Sequence, residues 1–209
     1  MIVEKRPETE KAGLIKGLAL LSPALRNLLV SDILIRFCEQ IPYAFVVLWC
    51  VSINRISALQ FGLLTTIEMV TAMLVYIPVA YLADRGSKKP FVAITFGFFT
   101  LFPLALMLAN NFWLFALAFV IRGLKEFGEP TRKALIMDLA PEGQKAGMFG
   151  LYYLLRDVVV SLAAFSAGWL WNISPQANFL TAFGFGVLGT VFFIVFGRDV
   201  TVPRQKTGA

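Results

Sequence analysis

The chain has 209 residues, of which 58% are hydrophobic and 15% charged, with a net charge of +6. Soluble domains carry about a quarter of their residues as charges, so this balance excludes an ordinary soluble fold and points to an all-α integral membrane protein. The chain contains no histidine, which excludes imidazole metal sites and His-based acid/base or nucleophile pairs, and neither a cofactor nor a metal is expected.

Residues 1–26 read as a cytoplasmic tail. Its mildly apolar stretch, Gly13 to Leu21, follows a charged leader in the manner of a signal peptide, but Glu4, Glu8 and Glu10 spoil a basic leader and Lys16 interrupts the apolar run. A short amphipathic helix on the cytoplasmic face, ended by Ser22-Pro23, is the better reading.

Residues 27–197 then break into six apolar segments of about 20 residues or more, each long enough to cross a bilayer. The predicted crossings are Asn27 to Ile53, Ala58 to Leu82, Pro90 to Ala109, Phe112 to Thr131, Ala146 to Trp171 and Phe179 to Phe196. The breaks carry turn chemistry, such as Asn54-Arg55, Asn110-Asn111 and Ala140-Pro141-Glu142-Gly143. Most are short, so successive helices run antiparallel. Residues 198–209 form a second polar tail.

The first crossing carries a polar stripe. Asp32, Arg36, Glu39 and Tyr43 recur at spacings of four, three and four, which places them on one helix face with Gln40 at its border. Such a stripe faces either a water-filled solute or proton pathway, or charged neighbours in an ion-pair ladder that fixes packing. Glu68 interrupts the second crossing. The fourth adds Arg122, Lys125, Glu126 and Glu129 before Pro130, and the fifth adds Arg156 and Asp157.

Counting along each helix at about 1.5 Å per residue puts Arg36, Glu39, Glu68, Arg122, Arg156 and Asp157 near the bilayer middle. A charge there costs about 2.5 kcal/mol or more unless it faces protein or water, so this layer is the strongest functional signal. Glu39, Glu68 and Asp157 are proton-carrier candidates, because desolvation and a neighbouring arginine act on a carboxylate in opposite directions. Arg36, Arg122 and Arg156 are candidate solute anchors. The set is balanced in sign and does not declare the solute's charge.

Lys and Arg are lopsided between alternate loops: Arg85, Lys88, Lys89, Arg132, Lys133, Lys145 and Arg198 fall on one side with both tails, and Arg55 stands alone on the other. Basic loops stay inside, so both termini are expected in the cytoplasm of a multi-pass protein of the cell (inner) membrane. The same loops account for the basic net charge, and no nucleic-acid partner is expected.

Cys38 and Cys50 lie on one predicted helix about 18 Å apart, too far for a disulfide, and read as lipid-facing or packing residues. Gly62, Gly97, Gly184, Gly186 and Gly189 read as points of close helix packing rather than phosphate loops. Ile35-Arg36, Glu39 and Pro42 correspond loosely to Ile121-Arg122, Glu126 and Pro130. This echo fits three helices followed by three more, a 3+3 inverted-repeat bundle.

One loop is more specific. Leu82-Ala83-Asp84-Arg85-Gly86-Ser87-Lys88-Lys89 resembles the signature between the second and third helices of the major facilitator superfamily, G-x-L-A-D-R-x-G-R-K, with Ala80 and Ser87 standing where glycines are usual and Gly86 one residue early. The stretch Arg122 to Asp138 is similar to the fourth-helix region of bacterial facilitators.

The resemblance implies a rocker, in which two six-helix bundles alternate access to a cavity lined largely by the first and fourth helices of each. It implies a gating loop in which Asp84 meets the positive end of a helix in the other bundle, flanked by Arg85 and Lys89, while Lys88 pairs with Glu129 or Asp138. It further implies that this chain is one half, its partners being the lipid bilayer, a small-molecule solute and a second six-helix bundle from a homodimer or a separate half. The tail before the first crossing resembles the central linker, which points to a C-terminal half or a fragment. The function expected is secondary active transport of a small organic solute, proton-coupled, and not enzymatic. The alternative is a non-transporting membrane module that assembles with a partner bundle.

Overall fold

In the computed structural model, which describes residues 21–83 and 87–199, the regular elements are all helical. Helix α1 (Pro23–Tyr43) starts at Ser22, whose side chain accepts a hydrogen bond from the Leu25 amide, with Pro23 in the first turn where no N–H is needed. Pro42 lacks an N–H and crowds the carbonyl one turn earlier, and α1 ends one residue later. The chain bends by 48° into α2 (Phe45–Val47), which continues as a π-helical turn, Leu48–Ile53. The first crossing is therefore bent, not the single straight helix expected from Asn27 to Ile53. Arg55, at φ 56°, makes the predicted turn.

Ser57 and Gln60 cap one another at the start of α3 (Ala58–Ala83), each side chain accepting from the other's amide. Then come α4 (Lys89–Leu108) and α5 (Phe112–Leu124), the latter capped by Asn111. A 3₁₀ turn (Lys125–Gly128) leads into α6 (Glu129–Leu139). The last two helices are α7 (Lys145–Ile173) and α8 (Pro175–Phe196), with Ser174 capping α8.

The Ser174 cap moves the last helix start back from Phe179 to Pro175. Among the described residues, four helices are long and apolar enough to cross a membrane, or five if α1 and its bent continuation form one span. The predicted crossing from Phe112 to Thr131 is instead the 13-residue α5, the 3₁₀ turn and the first residues of α6. The chain is thus a multi-pass membrane protein, all-helical in its described residues. The predicted amphipathic segment lies, except for Leu21, outside the described residues, as do Asp84 and Arg85.

Helix α1 packs against α7 and α8, α4 lies between α5 and α8, and α3 packs on α5. One apolar cluster gathers Leu25, Leu28, Phe96, Leu135, Tyr152 and Phe193, and a second gathers Val46, Trp49, Leu64, Phe115, Phe119 and Phe179. Both cysteines are buried in packing, not lipid-facing.

Three of the glycines expected at close contacts, Gly62, Gly97 and Gly184, have open space among the described residues where a side chain would be. Close contact falls on Gly186, Gly189 and Gly123. A Cβ on Gly123 would lie 2.5 Å from the Glu68 carbonyl oxygen and 2.6 Å from Thr71 Cβ, so α3 and α5 meet there backbone to backbone. Outward faces are apolar, with Leu59 and Leu63 on α3 and Leu162, Phe165 and Trp169 on α7 all exposed, as a chain surrounded by hydrocarbon permits.

Candidate functional site

The α1 stripe meets charges from three other elements. Asp32, fully buried, accepts from Arg132 of α6 and, at 3.1 Å, from the Tyr152 hydroxyl of α7. Arg36 Nε lies 3.8 Å and Arg156 Nη1 3.6 Å from the same carboxylate. Arg36 donates to Glu39 at 2.5 Å and to Glu129 at 2.8 Å, while Arg132 holds Glu129 through two further bonds of 3.2 and 2.7 Å. Lys125 closes the chain on Glu39 at 2.6 Å.

The helix spacing that aligns Asp32, Arg36 and Glu39 on α1 is answered by the i,i+3 pair Glu129 and Arg132 on α6. The 3₁₀ turn supplies Lys125 from the level between α5 and α6. That turn is anchored from α4, where Thr95 accepts from the Gly128 amide. Arg36 and Lys125 also lie over the Phe99 ring, at 5.1 and 5.4 Å from its centroid, so an aromatic face on α4 backs the cations.

Arg156 is bonded to Asp157 at 2.8 Å, and its guanidinium lies 4.1 Å from the centre of the Tyr153 ring. Four acids (Asp32, Glu39, Glu129, Asp157) and four bases (Arg36, Lys125, Arg132, Arg156) thus form one connected array. Ion pairs taken out of water survive when each charge has a partner and the remaining hydrogen-bonding positions are used. This array meets the first condition throughout. It leaves a few buried atoms without hydrogen bonds, among them Asp32 Oδ1 and Arg156 Nη1.

The remaining predicted residues fall outside the array. Glu68 pairs with Arg122 at 3.2 Å between α3 and α5, and Arg122 lies over the rings of Phe102 and Phe119. Gln40 is half-buried and Tyr43 is 58% exposed, whereas within the array the Asp157 side chain is the exposed end, 60% accessible beyond Arg156. Between α1, α4 and α5, where Glu39, Tyr43, Arg122 and Lys125 converge, only about 10 Å³ of space remains. A roomier cavity, about 490 Å³, opens between α3 and α5 and is lined by Glu68, Arg122, Lys125 and Glu126 with apolar side chains of α3.

At the end of the bundle bearing the loop before α4, Lys88 donates to Asp138 of α6, whereas Glu129 is committed to Arg36 and Arg132. Asp199, just beyond α8, accepts from Ser87 and, at 3.0 Å, from the Lys89 amide, and the Lys89 ammonium donates to the Ile194 carbonyl at 2.8 Å.

One member of the array and one hydrogen-bond donor to it escape the sequence reading. Arg132 is counted there as a loop cation but is 1% exposed at the centre of the network. Its signal is the i,i+3 spacing from Glu129, with Pro130 in a helical first turn. Tyr152 carries no charge and no periodic cue.

Charged groups of opposite sign, buried among membrane-spanning helices beside an open cavity, define the class: a multi-pass helical membrane protein with an ionisable interior. Residues 28–209 match the Major Facilitator Superfamily, and the chain belongs to that family. It is 22% identical over 189 residues to the uncharacterized MFS-type transporter YqjV of Bacillus subtilis (strain 168), an alignment covering 88% of this chain and 46% of that protein. The chain spans about half the length of the curated relative it matches. That relative is named as a transporter and not as an enzyme.

Proposed function

We propose that the chain acts in proton-coupled secondary transport of a small organic solute, as one six-helix half of a facilitator-type transporter. In this reading the α5–3₁₀–α6 run is the fourth crossing, broken at Lys125–Gly128, and residues 27–197 form a 3+3 bundle between two cytoplasmic tails in the cell membrane. A second bundle, from another copy or another polypeptide, completes the pathway.

The observation that carries the reading is the position of Lys125, which bonds Glu39 on one side and lines the open cavity on the other. Protonating Glu39 removes the charge that holds Lys125 and changes the electrostatics of the cavity wall. A proton and a solute then share one lever. Arg36 and Glu129 carry the change on toward Asp32, while Glu68 and Arg122 stand across the same cavity. Asp157 and Arg156 form the array's exposed end. The Lys88–Asp138 pair and the contacts of Asp199 support a gate at the loop before α4, in which Asp84 meets the second bundle.

The full chain reconstituted into liposomes with an imposed pH gradient, and offered a panel of radiolabelled amino acids, sugars, organic cations and organic anions, tests this. Accumulation of at least one class that collapses with the gradient is expected. Flux indifferent to the gradient contradicts proton coupling, and no flux by any class in the presence of a partner bundle contradicts transport.

The second reading, a non-transporting membrane module that assembles with a partner, draws on the equal numbers of acids and bases in the array, which needs no ligand to be neutral. It predicts that neutralising Glu39 or Arg122 changes assembly and stability but never flux.

A further inference from the structure

The cavity between α3 and α5 holds one charge that the network does not use. Of the two cations on its wall, Arg122 is bound to Glu68 at 3.2 Å and Lys125 to Glu39 at 2.6 Å. Glu126 faces the same space, and among the described residues its carboxylate makes neither an ion pair nor a hydrogen bond. The wall therefore carries one uncompensated negative charge. The rest of the lining is apolar and polarisable: Met69, Ala72, Met73 and Tyr76 of α3.

This combination selects by charge and by shape. A carboxylate without a partner at a largely apolar site is costly in hydrocarbon, and a monovalent cation removes that cost, whereas an anion adds to it. Thioether side chains adapt to irregular apolar bodies, and a tyrosine face favours a cation. The cavity volume, about 490 Å³, lies in the range of about 300–1,000 Å³ typical of small-molecule sites. A small metal ion is disfavoured, because it would lose its hydration shell to a wall with one free carboxylate.

We infer that this cavity binds an organic monocation with an apolar body, with Glu126 as its counter-charge and Met69, Met73 and Tyr76 as its walls. The inference rests on the transport reading and names its solute class. It also moves the solute from the α1 stripe, where almost no space remains, to the cavity between α3 and α5. Lys125 joins the two sides.

The test is equilibrium binding, not flux, so its outcome is separable from that of transport. The full chain in mild detergent is titrated with radiolabelled tetraphenylphosphonium and, in parallel, with tetraphenylborate, an anion of nearly the same size and shape. Wild type binds the cation at least about tenfold more tightly, Glu126→Gln loses about tenfold in cation affinity with no loss for the borate, and Glu126→Asp keeps most of it. Met73→Ala weakens both ions together. Equal affinities of wild type for the two ions overturn the inference, as does an unchanged cation affinity in Glu126→Gln. If Glu126→Gln does not fold, the wild-type comparison of the two ions decides alone. Gradient-driven flux of another solute class without phosphonium binding would overturn this inference and leave the transport reading standing.

Discussion

Arg132 of α6 donates to Asp32 of α1 across 100 residues of sequence, and both side chains are almost wholly withdrawn from the surface. This contact joins the two halves of the charge array: Asp32 carries Tyr152 and Arg156 on one side, and Arg132 carries Glu129 on the other.

Removing one charge from that contact leaves the other buried without its main partner. Asp32→Asn and Arg132→Gln are each expected to destabilise the chain by about 3 kcal/mol, within the range found for broken buried pairs. The double variant is expected to be less damaged than the sum, with a coupling of about 1–3 kcal/mol. Thermal unfolding in detergent, followed by tryptophan fluorescence, measures this. Strict additivity would remove Asp32–Arg132 from the centre of the array.

Gly123 sets the distance between α3 and α5. Because a Cβ there overlaps the Glu68 carbonyl and Thr71, both of which belong to a packed helix, Gly123→Val is expected to cost about 1–3 kcal/mol. Gly62→Ala, with open space around it, is expected to be neutral or slightly stabilising because alanine favours a helix by about 1 kcal/mol over glycine. The two variants compared in the same melt separate packing from helix propensity.

The Lys88–Asp138 contact ties the loop before α4 to α6. Lys88→Glu is expected to place like charges together and to raise cysteine labelling at a reporter introduced at Ser87. The exchange Lys88→Asp with Asp138→Lys is expected to restore protection. Labelling that ignores both changes would make this a surface pair of the weak kind.

The parts legible from sequence are those with a local period. Asp32, Arg36 and Glu39 lie on one helix face because spacings of four and three return to the same side, and their burial followed from the cost of charge in a membrane. Arg132 was hidden by its position just beyond Thr131, where the predicted crossing stopped, one residue after Pro130. Proline at the start of a helix breaks no hydrogen bond, so α6 simply begins there. The bend after Tyr43 was written in Pro42, yet the apolar run continues through it and masks the break. The cavity beside Glu126 was not legible at all, because it depends on how α3 and α5 sit together at Gly123, a tertiary contact without a sequence period.

Glu39 is the residue through which the proposed proton and solute sites communicate, since it holds Lys125 at the edge of the cavity. The most direct measurement is proton movement with solute: full chain in lightly buffered liposomes carrying an internal pH dye, challenged with the solute that the flux panel identifies. Wild type is predicted to give a solute-dependent pH change, and Glu39→Gln to exchange solute across the membrane while moving no protons. An unchanged proton signal in Glu39→Gln, with folding and solute flux intact, would contradict the account.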